Sequence, residues 1–213
     1  MATAIAANSM AQDATALLQK VKAKLEKVNS YTATGRLKTD VVFLKVPVAK
    51  VYVYFKKPNQ FRISKEKGIS ILPKGGVSIN MQSVLDDDNY MALDAGTANI
   101  NGTLLKVIKV LPSADNSDIV LTTLYIDEKL LLIKKVVTNT RENGSYEVEL
   151  TYGKWSSYAL PDKTVFSFNT KDYKLPKGVT LEFDDGEKPD PNKLKNKKGT
   201  IEIVYETYEI NKT

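Results

Sequence analysis

The hydrophobic period of this chain changes once, at Tyr31, and that change limits the fold more than any motif does. Before it, Leu17, Leu18, Val21, Leu25 and Val28 recur at helical spacing, with lysines on the other face. Asp13 reads as the N-cap of an amphipathic helix about four turns long. Beyond Tyr31 the apolar residues alternate with polar ones, which is the pattern of strands with one dry and one wet face. Tyr146, Val148, Leu150 and Tyr152 fall on one side of such a strand, and Glu147, Glu149 and Thr151 on the other. A chain built this way must fold a long helix against a sheet, because each has a single apolar surface to cover.

Candidate strands span 31–45, 49–57, 61–65, 68–72, 77–81, 89–93, 119–127, 131–140, 146–152, 165–169 and 200–210. Turn residues separate them, at Lys57-Pro58-Asn59, Lys74-Gly75-Gly76, Glu142-Asn143-Gly144 and Leu160-Pro161-Asp162. Asn143-Gly144 between two alternating runs signals a hairpin. The segment 102–110 places Leu104, Leu105, Val107, Ile108 and then Leu111 on a helical stripe before Pro112. It reads either as a short mid-chain helix or as one more strand, since short apolar runs fit both. The stretch from Asp184 to Lys198 has Leu194 as its one large apolar residue and reads as a long loop before the last strand. The expected class is α+β, mainly β: a highly curved antiparallel sheet wrapped around one long N-terminal helix, joined by a short second one if 102–110 takes its helical reading.

The chemistry left to such a fold is narrow. With no cysteine and no histidine, the chain has no disulfide, no thiolate metal site and no Ser-His-Asp arrangement. No phosphate-cradling glycine motif occurs. Ser64-Lys65-Glu66-Lys67 fits S-x-x-K, but a match is expected by chance at these serine and lysine frequencies, and the companion motifs are missing. Asp86-Asp87-Asp88 and Asp184-Asp185-Gly186-Glu187 lack the alternating oxygen spacing of a calcium loop and read as acidic turns. The expectation is a protein that is not an enzyme and needs no cofactor or metal. The formal net charge of +6 comes from 31 basic residues, only three of them arginines (Arg36, Arg62 and Arg141). Nucleic-acid readers lean on arginine forks, so a nucleic-acid partner is not expected. Residues 2–11 are small and mainly apolar, and polarity jumps at Gln12-Asp13. Ser9-Met10-Ala11 has the small-x-small pattern of a secretory cleavage site, so 1–11 reads as the remnant of a signal peptide cut after Ala11.

Two stretches resemble the periplasmic outer-membrane lipoprotein carriers of the LolA type. The first runs from Asp13 to Ile63: the helix DATALLQKVKAKLEKV, the step Asn29-Ser30-Tyr31-Thr32-Ala33, and VYVYFKKPNQFRI, in which Pro58-Asn59-Gln60-Phe61 closes a strand. The second covers 123–168, with LYIDEKLLLIKKVV, NGSYEVELTYGKW and LPDKTVFSF in succession. The resemblance implies one domain over 12–213, a half-open barrel of ten to eleven strands, with the mid-chain helix as part of a lid. It also implies a monomeric periplasmic carrier whose apolar cavity shields acyl chains of lipoproteins or other lipids. Its partners would be an inner-membrane release complex and an outer-membrane acceptor. The alternative is a protein-binding or lipoprotein-sensing regulatory module of the same fold. The expected cavity lining is Phe61, Ile63, Leu104, Leu105 and Ile108, with Val53 and Phe55 behind. The sequence departs from the family at 73–76, Pro-Lys-Gly-Gly, where the carriers usually show Ser-Asp-Gly. It departs again at Lys57, where they carry an arginine that ties the lid; a lysine latch there lacks the planar fork.

Overall fold

A computed structural model describes residues 2–40, 48–58, 60–65, 90–113, 118–142, 144–169 and 198–212. One helix, α1 (Ala2–Leu25), precedes ten strands. These are β1 (Ser30–Asp40), β2 (Ala49–Lys56), β3 (Gln60–Lys65), β4 (Tyr90–Ile100) and β5 (Thr103–Pro112). The remainder are β6 (Ile119–Asp127), β7 (Leu132–Thr140), β8 (Ser145–Thr151), β9 (Lys163–Asn169) and β10 (Lys198–Ile210). A single 3-10 turn, Ser156–Tyr158, sits between β8 and β9. The strands form one antiparallel sheet in the order β3-β2-β1-β10-β9-β8-β7-β6-β5-β4. Among the described residues its two edges, β3 and β4, do not pair with each other, so the sheet is a half-open barrel. β10 pairs with β1, which joins the first three strands to the meander of the remaining seven.

The helix forms where the period predicts. Leu17, Leu18, Val21 and Leu25 are buried along one stripe, and α1 lies against β4 and the 3-10 turn. Asp13 is inside the helix rather than at its cap, because the backbone of the preceding residues is helical too. The alternation also holds: Val148 and Leu150 are buried, while Glu147 and Glu149 reach Lys135 at 2.8 and 3.6 Å on the wet face.

The mid-chain segment is a strand, not a helix. β5 pairs along its whole length with β4 and over its centre with β6. Available pairing partners on both sides decide between two conformations that a short apolar run fits equally. The expected strands at 68–72 and 77–81, the departure at 73–76, the acidic turns at 86–88 and 184–187, and the loop up to residue 197 lie outside the described residues.

One irregularity shapes the sheet centre. Thr34 faces Thr207 and Gly35 faces Tyr205, so Glu206 is an extra residue bulged from β10. A Cβ on Gly35 would stand 2.6 Å from the Val204 carbonyl oxygen, which is why glycine occupies the position opposite the bulge. The bulge turns Tyr205 and Tyr208, three residues apart, toward the same face.

Candidate functional site

The inner face of the sheet and the apolar stripe of α1 share one continuous core. Val53 on β2 faces Ile63 on β3, and Phe55 faces Phe61 in the next inward row. Val53, Phe55 and Ile63 are 0–1% exposed, and Phe61 packs against them at the rim. Ile108 enters the same core from β5 in the other half of the sheet. Five of the seven expected lining residues thus come together across the sheet. Leu104 and Leu105 do not join them: Leu105, an odd number of residues from Ile108, points to the opposite face of the strand, and Leu104, on Ile108's side, lies at the strand's exposed end. Leu105 is buried but stands outside this core, and Leu104 is 68% exposed beside the Asn101-Gly102 turn.

Sequence reasoning missed an aromatic cluster at one end of the core. Tyr208 is its hub, with ring centroids 5.3 Å from Tyr31, 5.1 Å from Tyr205 and 4.8 Å from Trp155. The Tyr208 hydroxyl donates to the Pro161 carbonyl at 2.9 Å. Burial pushes the Tyr31 phenol well above its ordinary range, and the nearby Tyr205 phenol adds to the shift. Burial likewise raises Tyr205 to about 12, against hydrogen bonding to Thr164 and Tyr208. The signal that locates the cluster is the Gly35–Glu206 bulge, and that is legible only once β1 and β10 are paired.

A second missed residue is Asn211. Its side-chain oxygen accepts the backbone N–H groups of Asn29 and Ser30 at 2.7 and 3.2 Å, and its amide donates to the Lys27 carbonyl at 2.9 Å. One side chain after the last strand thereby fixes the turn between α1 and β1. Among the described residues no His, Cys, Asp or Glu cluster is placed to hold a metal ion. No described helix is long and apolar enough to cross a membrane.

No protein-family profile and no curated protein matches the chain. Solved structures do. A domain assigned to outer membrane lipoprotein sorting from Vibrio parahaemolyticus superposes with a TM-score of 0.58 at 12% identity, covering 95% of this chain and 94% of that one. The chain has a LolA-like fold. A LolA superfamily protein from Nitrosomonas europaea gives a TM-score of 0.52 at 8% identity, covering 92% and 94% of the two chains. A DUF1329 family protein from Desulfovibrio piger gives 0.58 at 8% identity, covering 95% and 94%.

Within this LolA-like fold, Lys57 lies where the end of β2 meets the end of the helix. Its ammonium donates to the Glu26 carbonyl at 3.0 Å, and its backbone N–H donates to the Asn29 carbonyl at 2.9 Å. The first contact holds the C-terminal end of α1, whose last carbonyls attract a cation, and the second extends the β1–β2 pairing by one bond. Lys24 ties the same end to the Leu130 carbonyl at 2.7 Å. Replacing Lys57 with methionine keeps the stem and the backbone bond but removes the ammonium. The expected loss is about 0.5–1 kcal/mol in urea denaturation, the size of one exposed hydrogen bond. No measurable loss would mean that water replaces the contact freely.

Proposed function

We propose that this protein is a non-catalytic periplasmic carrier that shields acyl chains between the curved sheet and α1. The supporting observation is the continuous apolar inner face. Val53, Phe55 and Ile63 from one half of the sheet and Ile108 from the other share a core with the helix stripe. Each methylene moved from water into such an interior gains about 0.8 kcal/mol, so a carrier must cover most of a chain. Uptake requires α1 or the sheet edges to part. The bonds from Lys57 and Asn211 make the α1–β1 end the fixed one, so opening belongs at the other end of the helix.

On this reading the mature protein is one domain over 12–213, secreted across the inner membrane and processed after Ala11. It acts as a monomer that takes lipoproteins or other lipids from an inner-membrane complex and delivers them toward the outer membrane. N-terminal sequencing of protein from its native host should then begin at Gln12. A second reading, a protein-sensing regulatory module of the same fold, draws on the half-exposed tyrosines of the outer face. Tyr52 is 38% exposed there, whereas Trp155 is packed against Tyr208.

Native mass spectrometry after gentle purification decides between the two. A carrier retains lipid, and it takes up a fluorescent acylated peptide that added fatty acid displaces. Recovery of one dominant protein partner, with no lipid and no peptide uptake, would replace the first reading with the second.

A further inference from the structure

The outer face of β3, β2, β1 and β10 carries a groove of about 490 Å³. It lies behind the apolar interior: Thr32 and Thr34 alternate along β1 with the inward Tyr31 and Ala33. Two cross-strand rows line it. In one, Ser64, Tyr52, Thr34 and Thr207 stand side by side across four strands. In the next, Arg62, Tyr54, Thr32 and Glu209 do the same. Lys212 closes one end, with its ammonium 3.5 Å from Glu209.

The two halves of the groove differ in how their polar groups are used. On the β1–β10 side the Thr34 and Thr207 hydroxyls bond each other at 2.7 Å, and Thr32 reaches Glu209 at 3.4 Å. On the β2–β3 side the exposed Arg62 guanidinium, the Tyr54 phenol and the Ser64 hydroxyl have no hydrogen-bond or ion-pair partner among the described residues. Tyr52 has only the Lys50 ammonium, 5.6 Å from its ring centre. The lining presents rings and hydroxyls, and its two aliphatic members, Ala33 and Val53, are buried toward the other face.

We propose that this groove binds a short acidic oligosaccharide. Tyrosine rings offer flat apolar faces to the C–H side of a pyranose, and their phenols offer hydrogen bonds at the rim. Serine and threonine hydroxyls both donate and accept, as sugar hydroxyls do. Arg62 supplies the planar fork that recognises a carboxylate in two parallel bonds, and Glu209 accepts from hydroxyls alone. Arg62, Lys212 and Lys50 outnumber Glu209, so an acidic sugar is favoured over a neutral one. A protein segment would seek a closed apolar pocket to anchor its hot spots, whereas Tyr52 and Tyr54 stand here on an open groove among hydroxyls and charges. The volume falls in the range of about 300–1,000 Å³ typical of small-molecule sites.

The test is calorimetric titration of the whole protein with hyaluronan tetrasaccharide, which carries glucuronates, and with the neutral cellotetraose. Hyaluronan tetrasaccharide should bind more tightly, and its affinity should fall as salt is raised. Arg62→Gln should weaken it about tenfold and leave cellotetraose within about twofold, because only the acidic sugar uses the fork. Tyr54→Ala should weaken both about tenfold, and Tyr54→Phe should restore most of the loss. Thermal melts of the three variants check that each folds. Three results would overturn the proposal: neither sugar binding at millimolar concentration, sugar affinity indifferent to Tyr54→Ala, or selected peptides that need Tyr54 and that neither sugar displaces. Acyl uptake uses the opposite face, so failure here leaves the carrier reading standing.

Discussion

Above pH 10 this protein should lose stability steeply, by about 3 kcal/mol up to pH 12 from Tyr205 alone, with buried tyrosines as the cause. The unfolded chain releases its phenolic protons near pH 10, whereas the folded chain holds them on Tyr31 and on Tyr205, raised to about 12. Above pH 10 the unfolded state therefore binds fewer protons, and stability falls as pH rises. Tyr205 alone contributes about 1.4 kcal/mol per pH unit up to about 12, and Tyr31, Tyr152 and Tyr208 act in the same direction. For a domain stabilised by about 5–15 kcal/mol that is a large share of the total. The stabilising contribution is fully present below pH 10 and disappears as the folded values are passed. Urea midpoints measured at half-unit steps of pH would show the slope. The Tyr31→Phe/Tyr205→Phe double variant should show a shallower slope, the remainder belonging to Tyr152 and Tyr208, whose phenols burial also raises. An equal slope in that variant would assign alkaline unfolding to other groups.

Phe55→Ala should cost about 3–5 kcal/mol, among the largest single-residue effects available in this fold. Phe55 is 1% exposed, its ring centre lies 5.3 Å from that of Tyr31, and it faces Phe61 across the β2–β3 pair. Removing the ring takes away its transfer energy and leaves a cavity that strands on both sides hold open. Leu104→Ala, at a site 68% exposed, should stay within about 0.5 kcal/mol. Urea denaturation of both variants at one pH makes the comparison, and a loss below 1 kcal/mol at Phe55 would show that its ring is not in a close-packed interior. In a carrier the same substitution enlarges the acyl site. Lipid should then recover part of the lost stability by binding the folded form alone.

Much of the architecture was legible in single residues and their spacing. Leu17, Leu18, Val21 and Leu25 marked the helix face, because a helix in water can bury only one stripe. The clean alternation of 146–152 marked both the strand and its buried side, Val148 and Leu150. Val53, Phe55, Phe61 and Ile63 were recognisable as one apolar group, since strands joined by a tight turn pair in register. The cysteine- and histidine-free composition removed most catalytic chemistry before any fold was known.

Tertiary structure decided what depends on a partner far along the chain. Whether 103–112 coiled or extended was settled by β4 and β6 on its two sides, and with it the separation of Leu104 from Leu105. The meeting of Tyr31, Tyr205 and Tyr208 required the bulge at Glu206, which exists only opposite Gly35 in the β1–β10 pair. Asn211 has no local signal, because the groups it bonds lie more than 180 residues earlier. The resemblance to the carriers singled out Lys57 as a latch, and only the fold shows that the carbonyl its ammonium meets is that of Glu26 at the end of α1. The outer groove joins residues of four strands from both ends of the sequence. Period and composition fix which face of each element is dry. Registry between distant strands fixes which side chains meet, and that information is absent from any one segment.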